Sequence, residues 1–409
     1  MKIAKLLLVS VFAVLLLSNI SFSQAISSGT ARFEALGYNP FINDASIDIN
    51  RNPAWANFYR NYAFGDLGRE VVNDFQLTDQ FGAVNFGVSK DITLGMVLNK
   101  REDRWNDFIG KTFSEASAVE PIVPFKLLFS YTSDKFTLGF APYITSKSLE
   151  SKGTNYDSVW SGSSFGAQLG TVFVLDGGWF EAAVDGKFNK IKREITLSGV
   201  TNTYKNAGGL QFDGFLRGKF MLVKQMKLSL VPYASVGFYS WNPTIEPTLL
   251  GFLETKHSYM NVMGGLGISM PILERGFMAG GLSAGFNSYT ATASSTLTDE
   301  YKYSAFVFPK FNLGMEWALT DWLVGRLGYS RAVTSDNQKY TDVGVTTEVM
   351  RTLASDPVQT ITMGLGFQFG RFSIDGTIGE KLLKEGIYTV SGKSNNLFGM
   401  LSASYNFNK

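Results

Sequence analysis

Few side chains in this sequence of 409 residues could carry enzyme chemistry, because it contains one histidine, His257, and no cysteine. The absence of cysteine excludes disulfides, thiolate metal sites and cysteine nucleophiles. His257 would need a serine and an aspartate beside it in space to form a hydrolytic triad, and no serine stands in a nucleophile motif. We therefore predict that the protein is not an enzyme, that His257 is solvated at a loop edge, and that no metal or cofactor is bound.

Charged residues that share one face of their segments with other polar residues form a second chemically active set. If that face lines a pore, mixed charges create a transverse field that selects solutes. Alternatively, the charges pair with each other and with chain inside the pore, as buried charges must. Both interpretations stay open, and the formal net charge of +2 is too small to indicate a nucleic-acid partner. The predicted lumen-lining residues are Lys126, Glu181, Asp185, Lys187, Asp213, Arg217, Lys219, Lys310, Glu316, Arg326 and Asp375.

The elements that position these charges are segments in which apolar and polar side chains alternate with a strict period of two. In residues 226–239, Leu228, Leu230 and Ala234 share one face, while Ser229 and Ser235 lie on the other. Short and long connections alternate along the chain, as in a transmembrane barrel with short turns at one rim and long loops at the other. The predicted short turns are Ser89–Asp91, Ser133–Lys135, Leu175–Gly178, Val223–Gln225, Ile272–Gly276, Leu319–Asp321 and Gly370–Arg371, and the long connections lie near 100–122, 147–163, 193–208, 242–255, 291–302, 334–357 and 381–394.

The pattern predicts an all-β fold, a transmembrane antiparallel up-and-down β-barrel of 14–16 strands. A strand near 58–68 would complete an even count of sixteen, and fourteen stays open. The barrel must close, because a hydrocarbon core offers no water to unpaired backbone groups. Aromatic residues near the strand ends are interpreted as interfacial girdles: Trp179, Trp317 and Trp322 beside short turns, and Tyr239, Trp241, Tyr289 and Tyr329 toward the long loops.

The first residues predict export and a segment that fills the lumen. Lys2 and Lys5 precede an apolar stretch, and Ser21 and Ser23 fit a cleavage site, so residues 1–23 are predicted to be a signal peptide. Residues 24–56 do not alternate, yet they carry apolar residues that a disordered tail would not need. We predict that 24–56 is a plug inside a barrel formed by 57–409. The apolar residues of this segment are Phe33, Leu36, Phe41, Ile47, Ile49 and Trp55.

The plug region also resembles a known family. Gly29-Thr30-Ala31-Arg32, Leu36-Gly37, Asp44-Ala45-Ser46 and Asn52-Pro53-Ala54 look like the entrance of the FadL-like outer-membrane superfamily, which includes fatty-acid transporters and the PorV/PorQ proteins of type IX secretion. The resemblance implies a plugged barrel, usually of fourteen strands, that passes hydrophobic molecules or holds secretion partners. The candidate plug motif is Asp44, Asn52, Pro53, Ala54 and Trp55; Trp55 departs from the glycine that the transporters tend to have there.

Prolines inside strands remove ladder hydrogen bonds and mark breaks or bulges. The resembled family uses a strand kink as a sideways exit, so Pro232 and Pro309 are lateral-gate candidates, with a simple bulge as the alternative. The resulting hypothesis is a porin-like transport protein in the outer membrane of a Gram-negative-type bacterium, surrounded by outer-membrane lipid, that takes up small, hydrophobic solutes passively. The charged lumen by itself would suit polar solutes better. The alternative is a PorV-like barrel that holds a secretion or surface protein.

Overall fold

The computed structural model describes residues 28–71, 74–78, 80–101, 122–123, 125–154, 156–197, 199–206, 209–246, 254–272, 275–294, 300–342, 345–355, 360–379 and 397–408. The predicted signal peptide, 1–23, lies outside the described residues. Near the start of the described chain stand two short α-helices, α1 (Thr30–Ala35) and α2 (Ala45–Arg51), followed by a 3-10 helix (Pro53–Asn57).

Strands make up most of the rest of the described chain. In chain order they are β1 (Tyr62–Val71), β2 (Asp74–Thr78), β3 (Phe81–Gly87), β4 (Ile92–Leu98), β5 (Lys100–Arg101), β6 (Ile122–Val123), β7 (Phe125–Thr132), β8 (Phe136–Gly153), β9 (Tyr156–Leu175), β10 (Gly178–Leu197), β11 (Val200–Asn206), β12 (Gly209–Val223), β13 (Leu228–Trp241), β14 (Pro243–Glu246), β15 (Glu254–Ile272), β16 (Gly276–Ser294), β17 (Glu300–Ala318), β18 (Leu323–Asp342), β19 (Val345–Ser355), β20 (Thr360–Phe369), β21 (Phe372–Ile378) and β22 (Phe398–Asn406).

Sixteen of these strands form a closed antiparallel barrel, which confirms the predicted fold and the count of sixteen. They are β1, β3, β4, β7–β10, β12, β13, β15–β18 and β20–β22, and each pairs with its neighbours in chain order. The last strand pairs with the first, with Ala63 of β1 opposite Tyr405 of β22, so the sheet has no open edge at this seam. All seven predicted short turns connect consecutive barrel strands at one rim, which we call the short-turn rim.

The opposite rim carries strand extensions where the sequence predicted loops. The β8–β9 ladder extends to Gly153 opposite Tyr156, and the β18–β19 ladder extends from Val333 on β18 to Val345 on β19. Several strands of 18 to 20 residues are therefore far longer than the ~9–11 residues that a tilted strand needs to cross a bilayer. Their hairpins project beyond the barrel wall on the long-loop side.

Alternation along the strands separates two environments, as predicted. Leu138, Leu169 and Leu216 point outward and are about half exposed, whereas Glu181 and Arg217 point inward and are buried. The prediction that seven aromatic residues face the lipid as girdles is wrong for four of them. Tyr239, Trp241 and Tyr289 are buried on the inward face, and Trp179 also points inward and packs on Trp55 with ring centroids 5.0 Å apart. Trp317, Trp322 and Tyr329 lie on the outward face. None of the helices in the described ranges is both long and apolar enough to span a membrane.

Candidate functional site

Residues 28–61, which we call the N-terminal segment, contact opposite walls of the barrel. On one side the Ala31 amide donates to Ser402 Oγ at 2.9 Å, and on another Asn39 Nδ2 donates to the Ala279 carbonyl at 2.8 Å. Farther along, Ser130 Oγ donates to the Ala54 carbonyl at 3.1 Å. These wall residues belong to β22, β16 and β7, so the segment contacts strands on different sides of the barrel. Its contacts fall close to the ends of strands at the short-turn rim.

The first anchor of this segment is a buried cluster of ion pairs around Arg32. Arg32 Nη1 donates to Asp44 Oδ2 at 3.0 Å within the segment, and Arg32 Nε donates to Glu316 Oε2 of β17 at 2.8 Å. Arg326 Nε of β18 donates to the same Glu316 oxygen at 2.6 Å, and its Nη1 lies 2.8 Å from Asp375 Oδ1 in an ion pair outside hydrogen-bond geometry. Every side chain in the cluster is at most 4% exposed. Burial raises the pKa of the Asp44 carboxyl to about 6, and the Arg32 charge opposes this rise.

The second anchor is centred on Arg217 of β12. Its Nη2 donates to Asp48 Oδ1 of α2 at 2.6 Å, and its Nε donates to Glu181 Oε1 of β10 at 2.6 Å. The other Glu181 oxygen accepts from Trp55 Nε1 at 2.6 Å and from Asn52 Nδ2 at 2.9 Å. One guanidinium and one carboxylate thus join β10 and β12 to α2 and to the 3-10 helix of the segment. Charge-assisted hydrogen bonds of this length are among the strongest in proteins.

The candidate plug motif owes its local shape to two caps. Asp44 caps the start of α2 by accepting from the Ile47 amide, and Asn52 caps the 3-10 helix by accepting from the Ala54 amide. Pro53 occupies the first turn, where its missing N–H costs nothing. These caps turn the chain so that Trp55 reaches Glu181. The motif residues are therefore all placed in the anchored part of the segment.

A cavity of about 470 Å³ lies between the N-terminal segment and the wall formed by β7–β10, β12 and β13. Its lining includes Phe33, Ile47, Asn50 and Arg51 of the segment. On β10, the lining residues Asp185 and Lys187 stand farther from the short-turn rim than Glu181 does, so the cavity lies on the long-loop side of the anchors. The predicted lumen residues on its wall are Lys126, Asp185, Lys187 and Asp213.

Hydrogen bonds join the cavity's polar residues into sets around Asp185 and around Asp213. Lys126 Nζ donates to Gln168 Oε1 at 2.5 Å, and Gln168 Nε2 donates to Asp185 Oδ2 at 3.0 Å. Tyr143 Oη donates to the other Asp185 oxygen at 2.7 Å, and Asp213 accepts from Gln211 Nε2 at 2.8 Å. The predicted lumen charges thus divide into two groups. The residues that anchor the segment, or pair with a residue that does, are Glu181, Arg217, Glu316, Arg326 and Asp375. The residues that line the cavity are Lys126, Asp185, Lys187 and Asp213.

Two predicted lumen residues belong to neither group. Lys219 and Lys310 lie on inward positions of β12 and β17 and are partly exposed. Both proline candidates interrupt a ladder. Pairing between β12 and β13 skips from Arg217–Tyr233 to Phe220–Leu230 beside Pro232, and a register shift between Val307 and Lys310 places Pro309 in a bulge. A gate at either position stays a prediction.

His257 is buried at 6% exposure, so its predicted solvation is wrong. Its Nδ1 lies 2.9 Å from the Tyr289 hydroxyl, and the two rings stack with centroids 6.1 Å apart. No serine or aspartate is hydrogen bonded to it among the described residues. Trp241, at 6.4 Å, completes an aromatic wall on the inward face, which explains why these residues are absent from the lipid-facing girdle.

Sequence reasoning missed the charged and amide residues that the segment itself supplies. Arg32, Asp48, Arg51 and Asn50 were not predicted to form a site, although each contacts a wall charge or lines the cavity. The usable signal was present: a charge in a segment expected to fill a lumen requires an opposite charge on the wall. Gln168, which joins two cavity charges, carried no such signal.

Comparison with solved structures finds similar barrels. The deltaS2 mutant of the TodX monoaromatic hydrocarbon channel is 12% identical with a TM-score of 0.40, over 94% of this chain and 100% of that one. The toluene transporter TbuX of Ralstonia pickettii is 11% identical with a TM-score of 0.42, over 93% and 97%. The ferric yersiniabactin uptake receptor FyuA of Yersinia pestis is 8% identical with a TM-score of 0.37, over 85% and 80%. No protein-family model and no curated protein matches the sequence.

Proposed function

We propose that this protein is an outer-membrane β-barrel of a Gram-negative-type bacterium that lets small solutes cross passively through its lumen, with the N-terminal segment as its plug. The observation that carries the proposal is the cavity of about 470 Å³ above the anchored segment, a size typical of small-molecule sites. The closed sheet and its outward-facing apolar residues support a place in a bilayer. Export by a signal peptide at 1–23 belongs to the same proposal.

The cavity offers surfaces to more than one class of solute. Phe33, Ile47 and Phe215 supply apolar contacts of the kind that the FadL-like resemblance implies for hydrophobic solutes. The charges that β7, β10 and β12 add to the same cavity favour solutes with polar groups. The proposed function is passage of small molecules, and the two surfaces together suit a solute that has both a hydrocarbon part and a polar part.

Flux through the purified protein in vesicles tests this function. Proteoliposomes should take up small solutes at a rate that rises with the protein-to-lipid ratio and does not require an ion gradient. The control is the same lipid with heat-denatured protein. An uptake rate equal to that of the control for hydrophobic, charged and neutral polar solutes would contradict the proposal.

A substitution on the outward face tests the membrane assignment. Leu216 is 46% exposed and points away from the lumen, so Leu216→Arg should lower the free energy of unfolding in lipid vesicles by about 2–4 kcal/mol near the bilayer midplane. The matched control is Ser235→Arg on the neighbouring strand, because Ser235 lines the cavity, where a charge stays hydrated. An equal stability of Leu216→Arg and the wild type would contradict burial of this face in lipid.

A second candidate function, holding a secretion or surface protein, is favoured by the projecting hairpins. In the β18–β19 hairpin, Met350 is 67% exposed and Val349 is 50% exposed, so the hairpin presents apolar side chains beyond the barrel. A partner that co-purifies in a fixed ratio, together with no flux in vesicles, would replace transport with this function. Co-purification that is lost on deletion of the hairpin would identify the contact.

A further inference from the structure

The barrel wall and the N-terminal segment both present oxygen acceptors to the cavity. Asp185 and Asp213 stand directly opposite each other on β10 and β12, where Cβ atoms on one face are about 4.5–5.5 Å apart. Asp185 receives its hydrogen bonds from Tyr143 and Gln168, both neutral. Asn50, which is 9% exposed and also lines the cavity, has an Oδ1 atom with no hydrogen-bond donor among the described residues. A group with several N–H bonds and a positive charge matches these acceptors, and an ammonium has three such bonds.

The same cavity also presents positive charges. Lys187 is two residues from Asp185 on the same face of β10, and Lys126 Nζ donates to the neutral Asn50 carbonyl at 3.2 Å. The Arg51 guanidinium lies 4.2 Å from the centroid of the Phe215 ring, which holds it at the cavity wall. These side chains carry the charge that complements a carboxylate or another anion, and a guanidinium such as that of Arg51 matches the planar geometry of a carboxylate.

Both signs of charge therefore occur within one cavity, and this restricts the solutes that fit. An anion alone would be repelled by the Asp185–Asp213 pair, and a cation alone would be repelled by Arg51 and the lysines. These repulsions are stronger in the cavity than in water, because charges interact more strongly in such surroundings. A solute with separated charges places each end beside its complement.

We infer that the cavity binds a small zwitterionic solute, whose ammonium lies at Asp185, Asp213 and Asn50 and whose anionic group lies toward Arg51 and Lys187. This inference rests on the proposed function, because the cavity is the site in the lumen that a passing solute would occupy. It narrows the solute from any small molecule to one with both charges. The hydrocarbon between the charges would contact Phe33 and Phe215.

Four probes of equal chain length separate the possibilities. Titration calorimetry with the full barrel in detergent micelles compares 6-aminohexanoate, hexanoate, hexylammonium and 1-hexanol. The zwitterion should bind about tenfold more tightly than either singly charged probe, because each end adds a hydrogen bond to a charged group. Hexanoate, hexylammonium or hexanol binding as tightly as 6-aminohexanoate would overturn the inference, and so would no binding of 6-aminohexanoate.

Two variants assign the ends, and both are first checked for the heat-dependent electrophoretic shift of a folded barrel. Asp185→Asn should weaken the binding of 6-aminohexanoate and hexylammonium about tenfold and should not weaken the binding of hexanoate, whereas Arg51→Gln should weaken the binding of 6-aminohexanoate and hexanoate. Equal losses for all probes in both variants would overturn the assignment. Because binding in micelles is measured without flux, a barrel that binds the zwitterion but passes no solute would overturn the transport proposal alone.

Discussion

Replacing Arg217 with methionine should lower the free energy of unfolding by about 3–5 kcal/mol, because it leaves buried carboxylates without their guanidinium. The Arg217 side chain is 1% exposed, and its partners Asp48 and Glu181 are fully buried. Methionine retains much of the side-chain volume, so the loss reports the charge and its hydrogen bonds. Urea unfolding in lipid vesicles, followed by tryptophan fluorescence, measures the change.

Two further variants show whether the loss arises from unpaired buried charge. Lys192→Met removes an ion pair with Glu194, but Lys192 is 51% exposed, so its loss should stay below about 1 kcal/mol. Glu181→Gln in the Arg217→Met background should recover part of the lost stability, since it removes one unpaired carboxylate. Arg217→Met with the wild-type unfolding free energy would show that this anchor does not stabilise the barrel.

The barrel could be predicted from the sequence because its two environments impose a simple pattern. Outward residues such as Leu138 and Leu169 are apolar and inward residues such as Glu181 and Arg217 are polar, so a period of two marks each strand. Short turns interrupt the pattern sharply, and all seven were located. The pattern disappears beyond the bilayer, where both faces of a hairpin meet water. The ladders between β8 and β9 and between β18 and β19 were consequently read as loops near 147–163 and 334–357.

The inward aromatic residues show a second limit of pattern reading. Tyr239 and Trp241 occupy the alternate positions of β13 that face the lumen. The girdle prediction used only their distance from the turn, and it therefore placed them in contact with lipid. Their burial on the inward side follows from the alternation of side chains along the strand. This alternation is a better guide to the face of the barrel than the distance from the strand end. The contacts between segment and wall could not be read at all, because Asp48 and Arg217 are far apart in sequence and meet only after the barrel closes.

The tight fit of the N-terminal segment against wall glycines makes its position sensitive to a single added side chain. A Cβ at Gly170 of β9 would overlap with the Asn52 side-chain amide, which caps the 3-10 helix and reaches Glu181. Gly170→Val should therefore push this helix off the wall and widen the path through the lumen. The expected result is a several-fold rise in solute flux in proteoliposomes and faster proteolysis of residues 28–57.

The neighbouring strand provides the matched control. Gly186 of β10 is exposed, and a Cβ there would meet no atom within 4 Å, so Gly186→Val should retain wild-type flux. Deleting residues 24–56 should raise flux more than Gly170→Val does, because both anchors and the caps disappear together. If deletion and Gly170→Val both leave flux and selectivity at the wild-type level while the barrel stays folded, the segment does not plug the lumen. The passage would then lie elsewhere in the wall, and the ladder breaks at Pro232 and Pro309 would be the next positions to test.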